Sequence, residues 1–245
     1  MCGIMGYIGE KKAVEILIGG LQRMEYRGYD SAGIALLQDR SELHFKKIKG
    51  KVLDLKNSLK NTELNGSVGI AHTRWATHGI PNETNAHPHM DCKNEIAVVH
   101  NGIVENNRTL RKELLNAGHV FTTDTDTEVI AHLIEELYNG SLENAVQNAL
   151  KELVGAFGIA VLSSKDPEKI IVARRGSPLV VGIGKNEYFV ASDPSAIVEH
   201  TKDLVFLDDD EMAVLTPNKM DTLNCDNQHI SKKVERFEVE LEAIE

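Results

Sequence analysis

The chain has 245 residues, of which 42% are hydrophobic and 26% are charged, and its formal net charge is -10. A chain of this length and composition can bury a substantial core as one large α/β unit. The acidic balance argues against nucleic acid or an anionic membrane as the main partner, because both attract clustered Lys and Arg.

The first part of the chain alternates strands and one helix. A strand is predicted at 4–8, and a helix follows whose apolar residues lie on one face: Val14, Leu17, Ile18, Leu21 and Met24. Gly19 and Gly20 weaken the continuity of this helix. A turn-rich loop at 26–31 then leads to short apolar runs, which predict strands at 34–37, 44–48 and 68–71.

A polar loop is predicted at 72–89, and the middle of the chain beyond it is mainly helical. A short strand at 96–99 precedes a helix that ends at Gly118. The segment 125–128 has capping-box spacing and predicts the start of a second helix. Ser141 is expected to begin a third helix.

After Gly155 the pattern changes to a meander of short strands separated by turn residues. The predicted strands are 157–162, 170–172, 179–183, 188–191, 205–207 and 212–215. Strands before and after a helical region favour two sheets with helices on their outer faces.

The three cysteines are Cys2, Cys92 and Cys225. Their odd number and wide spacing predict free thiols, which suit a reducing compartment. The run at 4–8 lacks the basic flank and length of a secretory signal, and no stretch is long enough to span a bilayer. We therefore expect a cytoplasmic protein.

Cys2 is the first candidate for catalysis. Removal of Met1 would give Cys2 a free α-amine, whose reference pKa of about 8 lies near neutrality. The amine could take the thiol proton directly or through water, so that one residue supplies both nucleophile and base. A lone cysteine near a start codon can also be incidental, and the rest of the sequence has to decide between these interpretations.

Five polar segments follow Cys2-Gly3-Ile4 in order. They are EYRGYDSAG at 25–33, HTRWATHG at 72–79, NAHPH at 85–89, HNG at 100–102 and TDTE at 125–128. With them the chain resembles the class II glutamine amidotransferases, densely from Cys2 to about residue 192. The resemblance implies a four-layer αββα sandwich, an α+β fold of the N-terminal nucleophile hydrolase type.

The resemblance implies that Cys2 attacks the side-chain amide of glutamine and forms a thioester that water hydrolyses. It makes Asn101 an oxyanion-hole side chain and the backbone N–H of Gly102 the second donor. Taken alone, Asn-Gly is more typical of a type I′ turn. The two interpretations are compatible, because glycine also lets a backbone amide approach a ligand closely.

Substrate binding is implied for two charged residues. Arg74 matches the residue that holds the α-carboxylate of glutamine, which suits a planar guanidinium. Asp126 matches the residue that accepts the α-ammonium group, although by itself it could cap the helix predicted there. Opposite charges at a fixed separation would select an α-amino acid over a plain amide.

The loop after Arg74 also has family counterparts. Trp75, Thr77 and His78 lie on a loop that, by the resemblance, closes over glutamine and excludes water. Arg27 matches a residue near the nucleophile whose guanidinium could hold the Cys2 terminus. His87 is expected to support the site by hydrogen bonding.

A metal site is the alternative reading of the histidines. Only His87-x-His89 approaches the paired spacing of structural zinc ligands, although His72, His78, His100 and Cys92 are also candidates. We expect no metal and no cofactor, with His89 and Cys92 structural. A glycine-rich phosphate loop at 181–184 is not indicated, because the third glycine and the Lys-Ser/Thr are missing.

Within the family, the segments most resemble the branch that forms hexosamine phosphate, the glutamine–fructose-6-phosphate aminotransferases. That branch joins this domain to two sugar-isomerase domains that bind fructose 6-phosphate. Residues 1–245 would then be the glutaminase domain alone, a piece of a longer enzyme expected to be a homo-oligomer. Its partner would be L-glutamine, and its own reaction the hydrolysis of glutamine to glutamate and ammonia.

Four other functions stay open from the sequence. The chain could be the glutaminase domain of another class II amidotransferase, or an amide hydrolase for a different substrate. It could also be a catalytically silent module that senses glutamine, or a metal-binding protein built on the histidines.

Overall fold

The computed structural model describes residues 2–39, 41–60, 62, 64–76 and 79–238. The strands of this part are β1 (Gly3–Ile8), β2 (Ser31–Gln38), β3 (Glu42–Lys49), β4 (Val68–Arg74), β5 (His89–Met90), β6 (Ile96–Val104), β7 (Gly155–Ser163), β8 (Ile170–Arg175), β9 (Val180–Gly184), β10 (Glu187–Ala191), β11 (Asp203–Phe206), β12 (Glu211–Thr216), β13 (Lys219–Leu223), β14 (His229–Ile230) and β15 (Glu235–Arg236). The helices are α1 (Ala13–Arg23), α2 (Val52–Leu59), α3 (Asn107–Asn116), α4 (Glu128–Glu136) and α5 (Leu142–Glu152). Short 3-10 helices lie at Glu25–Arg27 and Pro194–Ala196.

The strands form two antiparallel sheets. The first has the order β15-β11-β9-β10-β1-β4-β2-β3, and the second has the order β14-β13-β12-β8-β7-β6-β5. β1 therefore lies inside the first sheet, between β10 and β4. β6 lies near one edge of the second sheet and pairs with β7 along its whole length.

Alternation along β1 shows how the layers are built. Met5 and Tyr7 face the cluster formed with α1 and α2, whereas Ile4 and Ile8 face the cluster between the two sheets. This period of two is what a strand buried on both faces requires.

β6 divides its side chains in the same way. Ile96 and Val98 pack with α3, α4 and α5, and Ala97 and Val99 pack between the sheets. The molecule therefore has four layers in the order helices, first sheet, second sheet, helices, and an apolar cluster fills each of the three spaces between them. The expected αββα sandwich with helices outside is confirmed.

Two of the predicted boundaries that were wrong lie at the cavity described below. The polar loop expected from residue 72 begins only after β4, because Thr73 pairs with Gly3 and Arg74 pairs with Ser31. The segment 100–102 continues β6, opposite Ile159, Gly158 and Phe157 of β7. Cross-strand pairing, which a single strand's composition does not show, extends both strands.

The helix starts were predicted with mixed success. Ser141 caps α5 by accepting the backbone N–H of Asn144 at 3.3 Å. The capping box predicted at 125–128 was wrong. Glu128 instead accepts the backbone N–H groups of Thr122 and Thr123 at 2.7 and 2.8 Å.

α1 is continuous despite its two glycines. A Cβ atom on Gly20 would lie 2.3 Å from the Met5 Cε atom, so the glycine allows the helix to approach β1 closely. The sequence analysis missed α2, β13 and the short strands β5, β14 and β15. None of the helices in the described part of the chain is long and apolar enough to cross a membrane.

Candidate active site

Cys2 immediately precedes β1, and hydrogen bonds from the start of β1 to the strands on its two sides fix the position of Cys2. The backbone N–H of Gly3 donates to the Thr73 hydroxyl at 3.1 Å. The N–H of Ile4 donates to the Ser192 hydroxyl at 3.0 Å. These contacts come from β4 and from the residue after β10, so both neighbours of β1 hold the nucleophile candidate in place.

The Cys2 thiol is enclosed by the start of the loop after β4. The backbone N–H of Trp75 donates to Sγ at 3.2 Å, and Sγ lies 3.7 Å from the Trp75 carbonyl oxygen. Burial raises the pKa of the Cys2 thiol, although the Trp75 N–H and the Arg74 charge oppose this effect. The thiol is therefore protonated near neutrality, and a base must remove its proton before it can attack.

Asp30 holds the loop that carries Trp75. Its carboxylate accepts the N–H of Ala76 at 2.6 Å, and its own N–H donates to the Arg74 carbonyl at 2.8 Å. The hydroxyl of Ser31 donates to the same carboxylate at 2.9 Å. The sequence analysis gave Asp30 no role, and its place within the segment 25–33 was the available signal.

Asn101 points from β6 toward Cys2. Its Nδ2 donates to the Cys2 carbonyl oxygen at 3.2 Å, and its Oδ1 lies 2.9 Å from His72 Nε2. A carbonyl can only accept, so the amide nitrogen must face Cys2, and His72 then donates from Nε2. Burial lowers the pKa of His72 to about 3, which keeps this imidazole neutral. The orienting His72 was not recognised in the sequence.

Gly102 has φ +136°, which lies in the region that favours glycine. A Cβ atom there would lie 2.0 Å from the Ala156 carbonyl oxygen. Close packing of β6 against β7 therefore requires this glycine, and the type I′ turn proposed for Asn-Gly was wrong. The same absence of a side chain leaves the Gly102 backbone open to the cavity that it lines.

One cavity of about 290 Å³ collects most of the predicted site. Eight sequence-predicted residues line it: Cys2, Arg27, Arg74, Trp75, His87, Asn101, Gly102 and Asp126. Six further lining residues were not predicted as site residues: His100, Ile103, Thr125, Thr127, Ser177 and Pro178. Thr77 and His78 lie outside the described residues.

Arg74 and Asp126 bring opposite charges to this cavity. Arg74 is 4% exposed, and its Nη2 donates to the Gly79 carbonyl at 3.4 Å. Burial lowers the pKa of Arg74, but the charges of Asp30 and Asp126 act against this effect. A guanidinium remains protonated under such conditions.

The cap interpretation of Asp126 was wrong. Its Oδ2 accepts the N–H of Val104 at 2.8 Å, which ties the segment before α4 to the end of β6. Thr127 is the N-cap residue of α4, and its side chain makes no capping hydrogen bond. The Asp126 carboxylate is thus held at the cavity wall by β6.

Trp75 and Arg27 also line the cavity. Trp75 is 55% exposed, and a Cβ atom on Gly28 would lie 2.8 Å from its Cζ3 atom. Arg27 forms an ion pair with Asp193, to which the Tyr26 hydroxyl also donates at 2.6 Å. Arg27 therefore anchors the segment before β2 to the segment after β10.

The histidines beneath the cavity form a packed, neutral group. The rings of His72 and His87 stack with centroids 4.1 Å apart, and His87 meets His89 edge-on at 4.6 Å. His87 Nδ1 accepts the backbone N–H of His100 at 3.2 Å. Burial lowers the pKa values of His87 and His89 well below the ordinary range. His87 thus joins the other histidines to the backbone of β6, and its supporting role in the site stays a prediction.

Comparison with known proteins identifies a protein family that the chain matches. A model of the glutamine amidotransferase domain matches residues 72–199, more than half of the chain. The chain is 49% identical over 252 residues to the glutamine–fructose-6-phosphate aminotransferase (isomerizing) of Chlorobaculum tepidum, covering 100% of this chain and 41% of that protein. It is 54% identical over 218 residues to the enzyme of that name from Pyrococcus horikoshii, covering 88% and 36%.

The fold has solved counterparts as well. The glutamine phosphoribosylpyrophosphate amidotransferase of B. subtilis, complexed with ADP and GMP, superposes with a TM-score of 0.79 at 29% identity. The match covers 91% of this chain and 49% of that chain. The chain spans about two fifths of the length of the aminotransferases it matches.

Proposed function

The chain belongs to the glutamine amidotransferase family, and from that premise we propose that Cys2 is the nucleophile that hydrolyses the side-chain amide of L-glutamine. The observation that carries the proposal is the convergence of Cys2 Sγ, the Asn101 amide and two opposite charges on one cavity. The charges, Arg74 and Asp126, match the α-carboxylate and α-ammonium groups of an amino acid.

The proposed reaction begins with proton transfer. After removal of Met1, the α-amine of Cys2 takes the thiol proton, which burial otherwise retains. Sγ then attacks the side-chain carbonyl carbon, and the carbonyl electrons move to oxygen. The C–N bond breaks, the amine-held proton passes to the leaving nitrogen, and ammonia departs from a glutamyl thioester. Water attacks the thioester and releases glutamate and the Cys2 thiol.

Asn101 and Gly102 would stabilise the two tetrahedral intermediates. Asn101 Nδ2 has two N–H donors, of which one is directed at the Cys2 carbonyl oxygen. The other donor and the Gly102 N–H would face the developing oxyanion. Because His72 fixes the amide orientation, the donors would not have to reorganise during reaction.

The ammonia acceptor is a further part of the proposal. The aminotransferase relatives are longer than this chain and are named for fructose 6-phosphate. We infer that residues 1–245 are the glutaminase domain of such an enzyme, a homo-oligomer that passes ammonia to fructose 6-phosphate and forms glucosamine 6-phosphate. Cys2, Cys92 and Cys225 form no disulfide bonds, which suits a reducing cytoplasm.

Substitution of the nucleophile tests the proposal. Cys2→Ala should abolish glutamate release while calorimetry still detects glutamine binding, because Arg74 and Asp126 are unchanged. Cys225→Ala is the matched control, since Cys225 is exposed and does not line the cavity, and it should keep full activity. Turnover by Cys2→Ala would remove Cys2 as nucleophile. Binding without turnover in the unsubstituted, Met1-processed chain would favour the glutamine-sensing alternative.

A further inference from the structure

A second cluster of chemically reactive side chains lies apart from the glutamine cavity. Cys92, His119, His132 and Glu135 each place one potential ligand atom within 4.8 Å of the others. None of these four residues lines the cavity that contains Cys2. The catalytic proposal leaves their arrangement unexplained.

Three of four distances within the cluster match the edges of a metal-centred tetrahedron, and the fourth is about 0.2 Å shorter. Cys92 Sγ lies 3.5 Å from His119 Nδ1 and 3.4 Å from His132 Nδ1. Glu135 Oε2 lies 3.1 Å from the first of these nitrogens and 3.5 Å from the second. Zinc bonds of about 2.3 Å to sulfur and 2.0–2.2 Å to nitrogen and oxygen give tetrahedral edges of roughly 3.3–3.6 Å.

The outer nitrogens of both imidazoles face carboxylates. His119 Nε2 lies 3.0 Å from Glu136 Oε2, and His132 Nε2 lies 3.7 Å from Glu128 Oε1. A metal-bound histidine typically directs its other N–H toward a carboxylate, which fixes the ring and strengthens the ligand. His119 has this arrangement, whereas His132 Nε2 lies near the Glu128 carboxylate but beyond hydrogen-bond distance.

Both imidazole rings turn the same nitrogen toward the centre of the cluster. Nδ1 of each ring lies within 3.5 Å of both Cys92 Sγ and Glu135 Oε2. His132 is 1% exposed, so its ring is shielded from water. Sulfur, nitrogen and carboxylate oxygen atoms thus lie together around one point, as the ligands of a zinc ion do.

The backbone holds the ligands in position before any metal arrives. Asp91 closes the turn that carries Cys92 by accepting the N–H groups of Glu95 and Ile96 at 2.7 and 2.9 Å. His119 follows the end of α3, where its N–H donates to the Leu114 carbonyl at 3.0 Å.

The other two ligands come from a helix. His132 and Glu135 are spaced i and i+3 on α4, which places both side chains on one face. The cluster therefore joins the β5–β6 turn, the α3 terminus and α4.

We propose that Cys92, His119, His132 and Glu135 form a structural Zn²⁺ site that fastens α4 to the turn before β6. The ligand set of one thiolate, two imidazoles and one carboxylate suits zinc, and four protein ligands close the tetrahedron. The site would brace the two elements that present Asp126 and Asn101 to the glutamine cavity. The sequence analysis expected no metal and treated Cys92 as structural only, because the four ligands show no pair of cysteines or histidines at tight spacing.

Metal content is the direct test. After dialysis against zinc-free buffer, the chain should retain one zinc ion per molecule, measured by inductively coupled plasma mass spectrometry. Cys92→Ser and His132→Gln should each lose it, whereas the matched control Cys225→Ser should keep it. Cys2→Ala should also retain zinc, so that the metal proposal and the glutaminase proposal can fail separately. Zinc at background level in the unsubstituted chain, or full zinc content in both ligand variants, would overturn the site.

A cobalt experiment on the unsubstituted chain covers the case in which the variants fail to fold. The zinc is removed with a chelator, and Co²⁺ alone is added to chain that circular dichroism shows to be folded. Two absorptions are expected of a tetrahedral site: a thiolate-to-cobalt charge-transfer band and strong ligand-field absorption in the visible range. Chelation should also lower the melting temperature. Folded chain that shows neither absorption after Co²⁺ is added would identify the cluster as an ion-pair network and refute the proposal.

Discussion

Replacement of Arg74 by lysine tests how the cavity selects an amino acid. Arg74 is 4% exposed at the end of β4, and it lies on the cavity with Asp126. A guanidinium can give two parallel hydrogen bonds to the α-carboxylate of glutamine, whereas an ammonium group acts as a point charge. Arg74→Lys keeps the charge and removes the second parallel bond.

The expected magnitude follows from the lost hydrogen bond. One hydrogen bond to a charged group contributes about 1.5–3 kcal/mol, which corresponds to a roughly 10- to 150-fold change in binding. The α-carboxylate is remote from the amide that reacts, so ground state and transition state should lose the contact equally. KM should therefore rise by this factor while kcat changes little.

Steady-state release of glutamate measures both constants. Arg23→Lys is the matched control, because Arg23 forms its ion pair with Glu199 and does not line the cavity. L-Glutaminamide, in which a neutral carboxamide replaces the α-carboxylate, is the matched substrate, and chromatography follows its side-chain hydrolysis. The increase in KM caused by Arg74→Lys should be smaller with this substrate than with L-glutamine. An unchanged KM for glutamine, or an equal penalty with both substrates, would refute the carboxylate role.

Four further substitutions address the rest of the site. Asn101→Ala should lower kcat by about 10²–10³ with little change in glutamine binding, as for loss of one oxyanion donor, and a loss confined to binding would contradict this. Asp126→Asn should raise KM for L-glutamine more than for a substrate without the α-ammonium group, and equal effects would argue against the ammonium contact. Gly102→Ala should lower the melting temperature, because its Cβ would lie 2.0 Å from the Ala156 carbonyl oxygen, and an unchanged melting temperature would contradict the close packing. The pKa of His72 is about 3 in the folded chain, against 6.5 ordinarily, so its share of stability is complete above pH 6.5 and falls by about 1.4 kcal/mol per pH unit toward pH 3. Denaturant unfolding measured between pH 6.5 and pH 3 should show that the free energy of unfolding falls less steeply with decreasing pH in His72→Gln than in the unsubstituted chain. Identical pH dependence in the two chains would contradict the buried neutral ring.

Residues in short, recognisable sequence motifs were the most predictable part of the proposed site. Cys2, Arg74 and Asp126 each belong to a segment that carries the family resemblance, which implied a nucleophile and two charged contacts. The structure brings all three to one cavity. The sequence order of strands and helices likewise indicated two sheets with helices outside, because the apolar periodicity changes clearly along the chain.

Contacts between distant strands were not predictable in this way. Ser192 supports Ile4 across 188 positions, and His72 orients Asn101 across 29 positions. Neither pair has a local signal. Taken alone, the Asn-Gly dipeptide indicated a turn, because that interpretation used local preference only, whereas pairing with β7 decides its conformation.

Mass spectrometry during turnover tests the central claim most directly. The chain is mixed with L-glutamine, quenched in acid while glutamate is being released, and mapped by peptide mass. We predict that the amino-terminal peptide begins at Cys2, without Met1, and that a fraction of it carries a glutamyl group on the Cys2 sulfur. Glutamate release by chains that retain Met1, or a glutamyl group on another residue, would contradict the Cys2 mechanism.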